Sequence, residues 1–528
     1  MASRSVPIDA DNSPAADAPQ DKAELQTGNY GLLMVGIMAA SMLQVLDTTI
    51  ANVAIPHMQS SLGATWDTVT WVLTSYLIAS AVALPLTGWL ADRIGGRTLF
   101  IWSVAAFVLT SMLCGLAQNL EEMVLFRAMQ GVAGAFIAPL SQSFMLDTTR
   151  PSRHTQIMAL WGFGIMMGPI LGPVLGGWLT EMANWRWVFF VNVPVGLVAL
   201  GTLIAYLPRR KIIRHRFDLF GFALLAAALA SFQLMLDRGN QEDWFASAEI
   251  WIYLIIMLSA AWMAIVHFAT AANPMFERRL LTDRNLVIAL SFMIVTGTVM
   301  FAVMALMPPM MQNLFGYGVI DTGIVLMPRG VGVLISMQVS SLLMRSGIDS
   351  RPIVATGFLI AAGSLWMMAQ WSLAVDEYNM IVTGLLQGFG LGLIFIPLQV
   401  SAFATLPPRL RTHGASLLNL MRSLGASAGI SLTTTMLTRS IQTSHEELGG
   451  HLTAASGSII DYSTVDRFQV VGEAAMQLAN SEVTRQAAMI AYVNDFYMMM
   501  WLALAATPLA FLMRKDTSNG PPQMPINE

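Results

Sequence analysis

Cysteine is almost absent from this chain of 528 residues: Cys114 is the only one, and it lies inside an apolar run. That excludes a disulfide framework and any cysteine-built metal site. Lysine is nearly as scarce, confined to Lys22, Lys211 and Lys515, which follow Asp21, Arg210 and Arg514. A Walker phosphate-binding loop ends in Gly-Lys-Ser/Thr, so this chain has none and ATP is not its direct fuel unless another subunit supplies the hydrolysis. Charge is scarce too, at 11% of residues against 55% hydrophobic. A soluble protein of this length needs far more charge to cover its surface. The apolar residues instead cluster into runs of about 20, the length that crosses a bilayer. The composition therefore points to an all-α polytopic membrane protein with the lipid bilayer as its medium. No metal, organic cofactor or nucleic-acid partner is expected.

Reading apolar runs between charged or Pro/Gly breaks gives fourteen expected spans. The first six lie near 31–52, 68–90, 98–117, 121–146, 155–179 and 188–207. A middle pair follows at 217–236 and 250–271. The last six run near 286–307, 321–344, 353–371, 379–400, 413–437 and 490–513. Arg and Lys test this count, because positive charge accumulates on the cytoplasmic side. With the N-terminus inside, the inner segments hold 20 of the 28 basic residues and the outer segments five, with Arg127, Arg329 and Arg422 inside spans. Both termini are then expected in the cytoplasm. The expected organisation is a disordered tail over 1–30, a six-helix bundle over 31–208 and a linker with two extra helices over 209–284. A second six-helix bundle over 285–513 follows, containing a long periplasmic loop at 438–489, and a cytoplasmic tail over 514–528 ends the chain. The first thirty residues lack the basic start, apolar core and cleavage site of a signal peptide.

The two halves share an internal repeat. Ile55-Pro56-His57-Met58-Gln59-Ser60-Ser61-Leu62-Gly63 reads like Pro308-Pro309-Met310-Met311-Gln312-Asn313-Leu314-Phe315-Gly316, and Gln130-Gly131 reads like Gln387-Gly388. Duplication of this kind builds transporters whose two bundles rock about a site near the midplane. Arg127 corresponds to Gly384, so the charges of the first half are not copied, and coupling chemistry is expected in the first bundle.

Asp47 lies within the first span, in Leu46-Asp47-Thr48-Thr49-Ile50. An ionisable residue there costs from about 3 to more than 10 kcal/mol unless paired, hydrated or protonated. Arg127 in the fourth span is its expected partner. The pair either exchanges a proton as access alternates or is static and fixes helix packing. Between the second and third spans, Gly88-Trp89-Leu90-Ala91-Asp92-Arg93-Ile94-Gly95-Gly96-Arg97 sets Asp92, Arg93 and Arg97 among glycines, with Gly88 and Gly95 permitting a tight turn and close approach. This is expected to be a conformational latch at the cytoplasmic mouth. In the fifth span, Gly164, Gly168, Gly172 and Gly176 recur every four residues, with Pro169 and Pro173 between them. One helix face is thereby nearly bare backbone, allowing close approach by a neighbour, and the prolines are expected to bend the span.

In order along the chain, these segments resemble the major facilitator superfamily, and within it the fourteen-helix drug:proton antiporters of EmrB/QacA type, the EmrB branch in particular. The resemblance extends from about residue 31 to 513. It is carried by Leu46 to Ile50, Gly88 to Arg97, Arg127-Ala128-Met129-Gln130-Gly131 and Gly164 to Gly177. Trp185 to Pro194, Pro328-Arg329-Gly330 and Asn419-Leu420-Met421-Arg422 add to it. Gly96 departs from the pattern, standing where many relatives carry a basic residue. The resemblance implies a role for Arg127 in proton transfer, and Gly164 to Gly177 looks like the motif that separates exporters from uptake symporters. Arg329, Asn419 and Arg422 become secondary intramembrane polar candidates. The implied function is proton-coupled efflux of small amphipathic compounds across a bacterial inner membrane, with the proton as coupling ion. A periplasmic adaptor protein and an outer-membrane channel are the partners the branch implies. A symporter or exporter of one specific metabolite is the alternative.

Overall fold

In a computed structural model that describes residues 22–213, 216–450 and 469–513, every regular element is helical. The first part comprises α1 (Tyr30–Ser61), α2 (Trp66–Val69), α3 (Trp71–Ala83), α4 (Leu86–Leu90), α5 (Gly96–Leu116), α6 (Leu120–Ala135), α7 (Ile137–Thr148), α8 (His154–Met182), α9 (Trp187–Phe190) and α10 (Asn192–Tyr206). Next come α11 (Leu219–Arg238), α12 (Ala248–Thr270) and α13 (Arg278–Thr282). The last part holds α14 (Arg284–Phe315), α15 (Val319–Arg345), α16 (Ser350–Met368), α17 (Glu377–Ala404), α18 (Arg411–Gly450) and α19 (Gln469–Ala506). Many starts are marked by an Asn or Asp whose side chain accepts from a free backbone N–H: Asn29, Asn119, Asp218, Asp283, Asp349 and Asp376. Eleven helical segments among the described residues are long and apolar enough to cross a membrane.

Two sets of helices pack chiefly within themselves. In the first, α1 lies on α8 and α10, and α6 on α3 and α5; in the second, α17 lies on α15 and α16, and α14 and α19 lie on α18. The sets meet along α8 and α15, and along α7 and α18. The close approach of α1 to α8 is made by the glycine stripe. A Cβ on Gly172 would lie 2.1 Å from Thr49 Oγ1, and one on Gly168 would lie 3.0 Å from the Leu46 nitrogen. Thr49 uses this proximity to donate to the Gly168 carbonyl at 3.1 Å. The second set repeats the device, with Gly425 and Gly429 of α18 against Ile294 and Thr298 of α14. Through Pro169 and Pro173, α8 continues as one helix.

The middle hairpin sits at the side. Only 11% of the apolar window of α12 is buried, against 67% in α17, so α12 turns its large side chains outward, as a lipid-facing helix does. By contrast, α11 touches both sets: Thr74 of α3 donates to Asp237, and Ser431 of α18 donates to the Leu236 carbonyl at 2.8 Å. At the tip, Asp243 and Trp244 have positive φ of 50° and 53°, a strained turn. It presents Trp244 Nε1 to Thr435 Oγ1 at 3.1 Å. At the base, Asp218 accepts from Gly221 and Met275 backbone N–H groups and contacts His267 at 2.9 Å.

Two expectations need correction. Part of the tail expected to be disordered is packed: Leu25 N donates to the Asp147 carbonyl and Thr27 Oγ1 to the Tyr206 carbonyl, each at 2.8 Å, while residues 1–21 lie outside the described residues. The stretch 438–489 is not a loop at either side, since α18 runs on to Gly450 and α19 begins at Gln469. Polar residues continued the helices because α18 and α19 support one another there, with His445 Nε2 3.0 Å from Asn480 Oδ1. The tail at 514–528 lies outside the described residues.

The glycine stripe generates a test. Replacing Gly172 with Val should cost about 1–3 kcal/mol through overpacking against Thr49 and lower the thermal midpoint of the detergent-purified protein. Gly201→Ala, with nothing within 4 Å of the new methyl, should leave that midpoint unchanged in the same fluorescence-detected size-exclusion assay.

Candidate functional site

Asp47 of α1 and Arg127 of α6 meet in the interior, Arg127 Nη1 standing 2.7 Å from Asp47 Oδ2, with side chains 0% and 1% exposed. The rest of the surroundings completes the pair. Gln130 Nε2 donates to Asp47 Oδ1 at 2.9 Å, and Asn192 Nδ2 donates to the same oxygen at 2.7 Å. Arg127 also donates from Nε to the Val72 carbonyl at 3.1 Å and from Nη1 to Gln130 Oε1 at 2.9 Å. Its guanidinium lies 4.7 Å from the centre of the Tyr76 ring and 5.6 Å from that of Phe189. Five helices thus converge on the ion pair: α1, α6 and α10 at the carboxylate, and α3 and α9 at the guanidinium. Breaking such a buried pair by removing one partner costs about 3–5 kcal/mol, because a bare charge is left behind. Asp47 and Arg127 are the pair the sequence points to, and Gln130 and Asn192 join it from motifs with no role assigned to them. A buried Asn inside an apolar run was the available signal for Asn192.

The segment Gly88 to Arg97 forms the turn at the end where Arg and Lys concentrate. Gly95 has φ of +91°, the left-handed region that suits glycine. Asp92 pairs across to the second set, its Oδ2 lying 3.1 Å from His413 Nε2 of α18. Gly88 makes room for that imidazole, since a Cβ there would lie 2.2 Å from His413 Nδ1. Arg93 stacks on Trp89 at 5.1 Å, and Arg97 donates to the Ile204 carbonyl at 2.6 Å, so neither joins the crossing contact.

Beside this turn is a larger polar junction organised by Asp147 of α7. Arg210, after α10, reaches Asp147 Oδ2 at 2.5 Å, and Arg411 of α18 reaches Oδ1 at 2.7 Å. Arg210 also donates to Ser143 Oγ and to Thr412 Oγ1, each at 2.9 Å, and those two hydroxyls lie 2.8 Å apart. Ser416 of α18 donates to the Leu84 carbonyl, and Asn419 donates to Gln142 Oε1 at 2.9 Å. Burial, then the Asp147 charge, pushes the Glu24 carboxyl above its ordinary range beside this cluster. Burial, then the charge of Arg411, pushes the His154 imidazole below its ordinary range. Nothing in the sequence singles out Asp147, Arg210, Arg411 or His413 for this junction, because their partners lie on other helices, 63 residues away for Arg210 and more than 260 for Arg411 and His413.

Arg329, Asn419 and Arg422 do not form one cluster. Arg422 Nη2 donates to Asn419 Oδ1 at 3.0 Å, whereas Arg329 Nη2 donates to the Met300 carbonyl at 3.0 Å. Among the described residues neither arginine has a carboxylate partner. Arg329 lines a cavity of about 80 Å³ among α14, α15 and α17 of the second set, bounded by Pro173 of α8 and walled otherwise by apolar groups that include Met300, Met304, Met307 and Leu326. Among the described residues no group of three or more His, Cys, Asp or Glu is placed to hold a metal ion.

A paired intramembrane carboxylate, two helix sets and a cavity in the second set that reaches α8 of the first are the parts of a carrier. Residues 37–430 match the model of the Major Facilitator Superfamily, and the chain belongs to that family of membrane transporters. It is a multi-pass membrane protein that moves small molecules by alternating access, not an enzyme. It is 32% identical over 509 residues to the multidrug export protein EmrB of Escherichia coli (strain K12), covering 95% of this chain and 98% of that protein. It is 32% identical over 491 residues to the fatty acid resistance protein FarB of Neisseria gonorrhoeae, covering 91% and 95%. Among solved structures, the proton:xylose symporter XylE shares the fold with a TM-score of 0.60 at 13% identity, covering 92% of this chain and 96% of XylE.

The junction at the basic end can be trapped. With Cys114→Ala as background, the pair Ser143→Cys and Thr412→Cys should cross-link under mild oxidation, and neither single variant should. The bond should stop transport, and reduction should restore it; a gel shift after proteolysis in the 207–218 region reads the link directly.

Proposed function

We propose that this transporter is a proton-coupled antiporter that exports small amphipathic compounds, with Asp47 as the proton-exchanging carboxylate and Arg127 as the partner that responds to its charge. The observation that carries the proposal is the wholly buried Asp47–Arg127 pair, tied to Gln130 and Asn192. A carboxylate held by three donors is stable without its proton. When a rearrangement withdraws Arg127 or admits water, the same group binds one. The shared stripe of α8 against α1 links that event to movement, because a shift of α1 is felt at α8, and α8 lies on α15 of the other set.

In this reading fourteen helices cross a bacterial inner membrane: the eleven apolar segments, together with Trp71–Leu90, α8 and α18. Residues 31–208 and 285–513 form the two bundles, and 209–284 supply the linker and extra pair. The basic end faces the cytoplasm with both termini, as the distribution of Arg and Lys implies. The contacts of Asp92 with His413 and of Asp147 with Arg210 and Arg411 then close the cytoplasmic mouth, so Asp92 and its neighbours work as a latch between bundles. On the outer side, the extensions of α18 and α19 offer a docking surface for a periplasmic adaptor that leads to an outer-membrane channel.

The methionine-walled cavity suits varied apolar bodies, since the thioether chain is flexible and polarisable. Its single cation, Arg329, favours amphiphiles with a negative head. The names of the relatives, one for multidrug export and one for fatty acid resistance, support the same class. The driving force is sufficient: one charge crossing 100 mV releases about 2.3 kcal/mol, which at about 1.4 kcal/mol per tenfold supports a roughly 50-fold gradient of a neutral substrate.

Two measurements test this. In inverted vesicles, an acidified lumen should drive substrate accumulation by the parent protein, and Asp47→Asn should abolish it when flux is normalised to the amount of folded protein, which the unpaired Arg127 is expected to lower. Transport that persists with the pH difference and voltage both collapsed overturns the proposal. Arg329→Gln should weaken export of amphipathic carboxylates at least tenfold while sparing neutral amphiphiles; equal losses for both would remove the assigned charge preference.

A further inference from the structure

The second helix set has no acid at the position of Asp47: the repeat places Met300 there, 253 residues on. It carries one elsewhere. Asp495 of α19 is 1% exposed, and among the described residues both carboxylate oxygens are buried without a hydrogen-bond partner.

The place of Asp495 in the fold is specific. In the first set, Val188, Phe189, Asn192, Gly196 and Leu203 are buried along α9 and α10. A shift of 303 residues sets them against Ala491, Tyr492, Asp495, Met499 and Ala506, all buried along α19, while the remaining buried residue of α10, Ala199, falls on half-buried Leu502. Asp495 therefore occupies the place that Asn192 holds in the first set. Asn192 donates there to the carboxylate of Asp47 on the first helix. In the second set the acid has moved from the first helix of the repeat to the last, and the former acid position is a methionine.

The helices packed against α19 offer Asp495 no counter-charge. α14 carries only Arg284, its first residue, and α16 only Arg351 in its first turn. On α18, Arg411 and His413 are bound to Asp147 and Asp92, and Arg422 is bound to Asn419. Arg439, His445, Glu446 and Glu447 lie in the last turns of α18, and on α19 the neighbouring titratable groups are Tyr492, one turn earlier, and Tyr497, which accepts from Gln370, with Glu482 and Arg485 further toward its start. No ion pair joins any of these groups to Asp495 among the described residues. A carboxylate removed from water and given no donor is far less stable charged than neutral, and in a membrane interior it takes up a proton.

We propose that Asp495 is a second proton-binding site, protonated in the conformation described here and set in the helix set opposite Asp47. The two sites differ in one conformation: Asp47 is paired with Arg127, while Asp495 is unpaired and holds a proton. Only the use of this proton in transport rests on the antiport reading; its binding does not.

Infrared difference spectra of the full-length protein in lipid nanodiscs, titrated through neutral pH, read the site directly. A protonated carboxylic-acid carbonyl band should be present in the parent, absent in Asp495→Asn, moved in frequency in Asp495→Glu, and retained in Asp47→Asn. The same spectrum for the parent and Asp495→Asn across the titration overturns the proposal. In sealed liposomes, Asp495→Asn should lower the number of protons moved per substrate, and an unchanged ratio would remove Asp495 from coupling. Loss of the band in Asp495→Asn together with undiminished proton-driven export by Asp47→Asn would instead overturn the role given to Asp47 and leave the second site standing.

Discussion

The buried ion pair of Asp47 with Arg127 is the constraint around which the first helix set is arranged. Neither charge tolerates the interior alone, so the helices that carry them must stay in register, and the remaining lone pairs and N–H groups must find partners. Val72, Gln130 and Asn192 meet that demand from three further directions. Ser111 is drawn in behind Asn192, accepting from it at 3.0 Å. A polar knot of this kind has few alternative arrangements, and that is what an element with two discrete states requires.

The polar contacts between the two sets are of a different kind. They gather at one end, and although Asp147 and its hydroxyl and amide neighbours are buried, Arg210, Arg411 and Asp92 keep part of their side chains open to water. Asp147 with its two arginines and Asp92 with His413 can exchange protein partners for solvent. The intramembrane knot thus resists change and the mouth permits it. Along α8 and α15, where the sets meet through the depth of the molecule, the contact surfaces are small or flexible side chains, such as Gly162 against Met337 and Gly323 against Val174. Surfaces of that sort allow one helix to tilt on another.

What the sequence made legible follows from the range of the interactions involved. Spans, their order and the glycine stripe are written locally, in apolar runs and four-residue spacings. The Asp47–Arg127 pair was legible although its members are 80 residues apart, because an acid and a base inside hydrocarbon demand one another. The partners of Asp92 and Asp147 were not legible, since at a wetted helix end any nearby cation serves and the sequence does not say which is near. The stretch 438–489 misled for a related reason: polar composition marks exit from the membrane but not the end of a helix, and two helices leaving side by side stabilise each other. The second-half acid is hidden in the sequence because the repeat is carried by shared glycine, glutamine and proline, whereas Asp495 corresponds to Asn192 only through the buried faces of α10 and α19.

The position of α11 carries a mechanical consequence. Its outer part is fastened to α3 through Thr74 and Asp237 and to α18 through Leu236 and Ser431, so one rod is bonded to both moving bodies at the same level. Two bodies sharing such a strut cannot separate freely there: widening the gap must shear one of the two bonds or swing the hairpin outward through the lipid. Lateral pressure and bilayer thickness would therefore act on the working stroke itself, and the surrounding lipid becomes part of the spring against which the carrier opens.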